Sequence, residues 1–231
     1  MRQLTTQQVT GDAPLSKFHW RVLTLCFFIL VLDGYDLAIA GAALPAIMAD
    51  LGVTASTAGF MASSALFGMM FGAMGLGSMA DRIGRRRVIV LSVLLFSAFT
   101  AAAGLAREPL MFSLMRFVAG IGLGSAIPNI ISHVTEYSPK RVRGLAVTAI
   151  GSGYPLGSML AAILGKQLIV AHGWQMVFYV AGLAVLLIPV ILLMFPESLT
   201  YLIKNGYKDQ AQAIVRHLAP QGDVAASDLV H

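Results

Sequence analysis

Apolar residues fill six long stretches of the sequence, near 19–44, 57–79, 87–106, 109–134, 143–170 and 174–196, separated by short polar links. A bilayer core about 30 Å thick takes roughly 20 apolar residues in a helix, so each stretch is long enough to cross it. Helices are required because lipid offers no partner to unpaired backbone groups. The alternating ten-residue segments of a membrane barrel do not occur in the sequence. The pattern predicts an all-α membrane protein with six transmembrane helices: a tail over 1–18, a six-helix bundle over 19–196 and a second tail over 197–231. In the second tail, Y-K-D-Q-A-Q-A-I-V-R-H-L-A-P has the spacing of a short amphipathic helix lying on the membrane surface. Residues 1–18 are polar, and the apolar run after them exceeds the roughly 7–15 residues of a cleavable signal, so the first span is expected to stay in the mature protein.

Composition agrees. The chain is 57% hydrophobic and 12% charged, about half the charge of a soluble domain, and its mean hydropathy is +0.78. The net charge of +5 does not point to nucleic acid, because the basic residues sit at the edges of apolar runs. The links D-R-I-G-R-R-R and T-E-Y-S-P-K-R-V and the two tails hold Arg2, Lys17, Arg21, Arg82, Arg85, Arg86, Arg87, Lys140, Arg141, Arg143, Lys204, Lys208 and Arg216, most of the 16 Lys and Arg. Arg107 and Lys166 fall near the other face, and Arg116 falls within a span. This bias predicts a multi-pass protein of the cell (inner) membrane with both termini in the cytoplasm. The lone Cys26 excludes an internal disulfide and is expected to pack as a small hydrophobe.

Three charges interrupt the apolar runs: Asp33, Asp36 and Arg116. A charge at a span centre costs about 2.5–3.5 kcal/mol on insertion scales and marks a functional site by default. The two acids are three apart and share a helix face. Asp36 precedes Pro45 by nine residues, about 13 Å, and Arg116 lies seven residues into the fourth run, about 10 Å, so their depths allow a pair. Desolvation favours a neutral acid and a nearby guanidinium favours the anion, which suits an acid that binds and releases a proton. A static pair would hold the helices together equally well, but it has no use for a second acid. No metal site or bound cofactor is expected.

Small residues recur at helical spacing: Gly68, Gly72, Gly75 and Gly77; Gly120, Gly122 and Gly124; Gly151, Gly153 and Gly157. Spacings of four let helix backbones approach, for tight packing or for sliding. Tyr154 beside Pro155 reads as a packed ring at a proline kink. Asn129 either bonds another helix or lines a cavity, and His133 reads as an interfacial histidine.

The first basic link, G-S-M-A-D-R-I-G-R-R-R from Gly77 to Arg87, resembles the loop signature of the major facilitator superfamily, G-x-L-a-D-r-x-G-r-r/k, with Met79 at the Leu position. R-F-V-A-G-I-G-L-G from Arg116, E-Y-S-P-K-R-V-R-G from Glu136 and P-E-S-L-T-Y-L from Pro196 follow in the order the family expects. The resemblance covers residues 17 to about 218. It implies a loop and inner gate built from Gly77, Asp81, Arg82, Gly84, Arg85, Arg86, Glu136 and Arg143, with Asp81, Glu136 and Arg143 in one charge network.

D-G-Y-D-L, P-N at Pro128 and Asn129, G-Y-P-L-G in the fifth run and A-L-F-G-M-M-F-G-A in the second resemble the aromatic acid:proton symporters, and within them the benzoate carriers. The resemblance implies proton-coupled import of benzoate- or hydroxybenzoate-type carboxylates by alternating access. Asp33, Asp36 and Arg116 would couple the proton, and Tyr35, Arg116, Asn129 and Tyr154 would contact substrate. The alternatives are a carrier of another solute, such as a sugar or a non-aromatic organic acid, and a half-carrier fragment without activity. Such carriers have two six-span halves with substrate near the midplane, so a C-terminal six-span half is expected to be required.

An enzyme is not expected. Six spans with G-S-G at 151–153 invite comparison with intramembrane serine proteases, but His172 is twenty residues from Ser152 in the same run. That is about 30 Å along a helix, whereas a nucleophile and its base need about 3 Å. A channel would need a filter or a charged ring between spans, and the sequence has neither.

Overall fold

A computed structural model describes residues 4–5, 16–218 and 229–230. Among the described residues six helices are long and apolar enough to cross a membrane: Lys17–Leu51, Ala55–Ile83, Arg85–Ala103, Pro109–Tyr137, Arg143–His172 and Gln175–Met194. They are called spans one to six below. All six expected spans are present, and the tail 1–18 falls mostly outside the described residues. A two-residue parallel ladder pairs Leu4 with Leu229 and Thr5 with Val230.

The first span runs past its expected end. Pro45 lies inside the helix, which continues to Leu51 and stops at Gly52 in a left-handed conformation. Proline removes one backbone donor, a loss that membrane helices tolerate through local adjustment. The extra two turns serve a purpose: Asp50 accepts a 2.8 Å hydrogen bond from the Trp174 indole N–H and ties span one to the start of span six. Spans two and five are each interrupted once, at Gly75 and at Ser152. The fifth-span break falls three residues before Pro155, close to the kink expected there. Span six passes through a 3-10 turn at Leu183–Leu186.

Two seams bring backbones into contact. A methyl added at Gly68 or Gly72 would strike the carbonyls of Phe117 or Ile121. One added at Gly120 or Gly124 would strike those of Ala65 or Met69, so spans two and four interlock reciprocally. Gly34 meets Tyr154 and Gly157 meets Val31 in the same way, joining spans one and five. Without a hydrophobic drive between helices in lipid, close van der Waals packing is what holds such seams.

Two apolar clusters fill the interior. One lies toward the basic end, with Cys26, Ile29, Val93, Phe96, Leu123, Ile130 and Ile191. The other lies toward the opposite end, with Ile39, Ile47, Met61, Phe112, Trp174 and Phe178. A third, smaller cluster caps the basic end. There Tyr137 packs on Leu199, Leu202, Ala211 and Val215, which belong to the short helices Leu199–Lys204 and Lys208–Leu218. The expected amphipathic helix is therefore present, and it docks on the bundle as part of the fold.

Candidate functional site

The three buried charges fall near where the two apolar clusters meet. In span one Asp33 and Asp36 lie between Leu30 and Ile39, and in span four Arg116 lies between Phe112 and Leu123. All three charges are at most 1% exposed. Arg116 Nη1 donates to Asp36 Oδ2 at 2.9 Å and to Thr100 Oγ1 at 3.0 Å, and its Nη2 reaches the Asp36 carbonyl at 3.4 Å. The guanidinium carbon stands 5.9 Å from the centre of the Phe178 ring, within cation–π range. The pair that the sequence depths allowed is formed. Pro45 is not the end from which depth should be counted, since span one continues to Leu51.

Asp33 is different. Neither of its carboxyl oxygens has a hydrogen-bond partner among the described residues. Two acids thus share a buried layer with one arginine, and the fold gives that arginine to Asp36. With all three groups ionised, one negative charge is left without a counterion in a low-dielectric interior, an arrangement that costs several kcal/mol.

The four residues expected at substrate do not share one open wall. Tyr35, Arg116 and Asn129 are buried, and Tyr154 is half-buried. The Tyr35 hydroxyl donates to the Val177 carbonyl of span six at 3.4 Å. Asn129 Nδ2 donates to Ser125 O of its own helix at 2.7 Å, one turn away. Tyr154 stands across the span-one seam from Gly34.

At the basic end the expected charge network has different members. Arg85, not Arg143, pairs with Glu136, at 2.7 Å, and also lies 3.7 Å from Asp81. Among the described residues Arg143 donates only a long 3.5 Å bond to the Ser138 carbonyl. Glu136 further accepts from Ser198 Oγ at 2.8 Å and from Thr200 N at 2.8 Å. Glu197 returns the arrangement: its Oε1 accepts from Arg86 N at 3.1 Å, at the start of span three. The Tyr137 hydroxyl donates to the Glu197 carbonyl. Gly84 is required here, because its φ of +99° suits glycine and a side chain would meet the Glu197 carboxylate. Gly77 has only ordinary contacts around it, and Arg82 is exposed. His133 is fully buried, stacked 4.2 Å from the Phe195 ring, so the interfacial reading does not hold.

Sequence reasoning missed Thr100, Glu197 and Ser198. Thr100 had a faint signal, as a buried hydroxyl three residues after Ser97 in an otherwise apolar stretch. Hydrogen bonds to charged groups contribute about 1.5–3 kcal/mol. Thr100→Val, which keeps shape and removes the acceptor, is therefore expected to lower the thermal midpoint in detergent, and Thr100→Ser to restore it. A Thr100→Val protein that melts with the parent would remove this bond from the account.

Comparison with known proteins agrees with the architecture. The family model for the Major Facilitator Superfamily matches residues 26–222. The chain is 39% identical over 224 residues to the benzoate transport protein of Acinetobacter baylyi, covering 95% of this chain and 48% of that one. It is 36% identical to the 4-hydroxybenzoate transporter PcaK of Pseudomonas putida, covering 95% and 50%. The gallate transporter of the same organism is 37% identical over 83% of this chain and 43% of its own. The chain thus spans about half the length of the curated relatives it matches. Among solved structures, the proton:xylose symporter XylE bound to 6-bromo-6-deoxy-D-glucose superposes with a TM-score of 0.81 at 22% identity, over 91% of this chain and 51% of that one. With the family model matched over most of its length and six spans in the corresponding fold, the chain belongs to the major facilitator superfamily.

Proposed function

We propose that this bundle works with a second six-span bundle as a proton-coupled importer of aromatic carboxylates, by alternating access. The observation that carries the reading is the buried Asp36–Arg116 pair with Asp33 beside it and unpartnered among the described residues. One proton on Asp33 cancels the excess negative charge of the layer and needs no movement of Arg116. A second event, the arrival of a carboxylate or of a proton on Asp36, would free the guanidinium to face substrate. Arginine suits that task because its planar fork matches a carboxylate. Tyr35, Asn129 and Tyr154 are the proposed neighbours of the aromatic ring and its substituents. The driving force is the proton gradient, with no cofactor.

The relatives support the substrate class, since those named above carry benzoate, 4-hydroxybenzoate and gallate in their names. Their length supports the second bundle. The proposed location is the inner membrane, with both termini cytoplasmic, as the basic links suggest. A radiolabelled uptake panel of benzoate, 4-hydroxybenzoate, phenylpropionate and a hexose tests the reading. Saturable aromatic acid uptake that a protonophore abolishes is expected. Preferential hexose uptake, or aromatic acid accumulation indifferent to the protonophore, would refute it.

A further inference from the structure

The three consecutive arginines of the first basic link are not used alike. Arg85 is engaged by Glu136. Arg86 lends its backbone N–H to Glu197, while its side chain forms no ion pair among the described residues and its buried Nε has no partner. Among the described residues Arg87 makes only a 3.5 Å contact with the Ile83 carbonyl. Both of these side chains line a crevice of about 340 Å³ where span three meets span six and the two short helices. Its other walls include Leu192, Glu197, Tyr207 and Gln210.

The lining is mixed, with apolar and cationic groups together. Leu192 lies on span six within two residues of Met194, where the span ends, and is 46% exposed. It forms an apolar wall on the bilayer side. The same crevice is lined by the arginines, the Gln210 amide and the Tyr207 ring, which stacks on Tyr201. Tyrosine is enriched at membrane–water interfaces because its ring is apolar and its tip is polar. Glu197 lines the crevice too, but its Oε1 already accepts two backbone N–H groups, from Arg86 and Ser198. A free anion has no use for the apolar wall. An amphiphilic anion uses both kinds of lining, and paired guanidiniums match phosphate oxygens in geometry as well as charge.

We propose that this crevice is a binding site for the phosphate headgroup of an anionic phospholipid, held by Arg86 and Arg87, with an acyl chain running along Leu192. The site lies outside the Asp33–Asp36–Arg116 layer and does not depend on what the carrier moves.

The test uses the full chain in nanodiscs of equal parts phosphatidylglycerol and phosphatidylcholine, with retained lipid counted by native mass spectrometry. One phosphatidylglycerol per chain should survive release, and phosphatidylcholine should not. The Arg86→Gln/Arg87→Gln protein should bind it about ten-fold more weakly, given the strength of charge-assisted phosphate contacts. Lys140→Gln/Arg141→Gln, which removes the same charge from exposed positions at the same end, should bind like the parent. Leu192→Gln keeps the arginines and should weaken lipid retention while leaving the helical content unchanged. Equal losses in the two double variants would reduce the effect to general attraction and overturn the site. So would equal retention of phosphatidylcholine, or inorganic phosphate displacing the lipid at concentrations that leave Leu192→Gln and parent alike.

Discussion

In a complete two-bundle carrier with the proposed coupling role, Asp36→Asn is expected to abolish proton-driven accumulation of an aromatic acid and, separately, to destabilise this bundle. The second effect follows from what is left behind. Arg116 is 1% exposed and its strongest partner is the Asp36 carboxylate. Removing that charge strands a buried cation, and breaking a buried pair in this way costs about 3–5 kcal/mol. Thr100 and the Phe178 ring still stand near the guanidinium, but neither carries a charge. The double variant Asp36→Asn/Arg116→Gln leaves no stranded ion and should recover most of the thermal midpoint without recovering accumulation. Asp33→Asn separates the two acids. Among the described residues nothing bonds to the Asp33 carboxylate, so its loss strands no partner, and the protein should melt at or above the parent while accumulation is lost. Gradient-driven uptake at the parental level in Asp36→Asn would contradict the coupling role. A parental melting curve for the same variant would contradict the buried pair.

The other large effect is expected at the seam of spans two and four. Gly120→Val should drive those spans apart and abolish the folded bundle's cooperative melting in detergent. Overpacking an interior usually costs about 1–3 kcal/mol, with side chains shifting to absorb it. At Gly120 the obstacle is the backbone of Ala65, which no rotamer change can move. The collision repeats at Gly124, Gly68 and Gly72 along the same interface, so the helices cannot tilt away from one site without opening the next. Gly151→Ala is the control, since nothing lies within 4 Å of that position. If Gly120→Val melted like Gly151→Ala, the seam would not be holding the spans together.

Much of the fold is legible in the sequence because the bilayer simplifies the problem. Length and apolarity place six helices with little help from tertiary context. The end of span one is not legible, because Pro45 looks like a stop and the continuation rests on a contact between Asp50 and Trp174, far apart in sequence. The Asp36–Arg116 pair is legible because depth along a helix can be counted. Thr100 is not, since its role depends on which face of span three meets span four. The charge network at the basic end is hidden for a similar reason. Arg85 and Arg143 carry the same charge near the same depth, and only the packing decides that Arg85 receives Glu136. His133 shows the limit of positional rules, as a ring near a span end that is nonetheless enclosed by Tyr137 and Phe195.

The two glutamates at the basic end also set an order of assembly. Glu136 has Arg85 ahead of it in the chain, but its other donors, Ser198 and Thr200, come about sixty residues later. The start of span three waits longer still for Glu197. Spans one to five can therefore form the Arg85–Glu136 pair by themselves, while the Arg86 amide and the second oxygen of Glu136 still lack their later partners. The segment from Pro196 to Thr200, which follows span six, supplies those partners. The basic end thus gets its full set of hydrogen-bond partners only from the stretch of chain beyond the sixth helix.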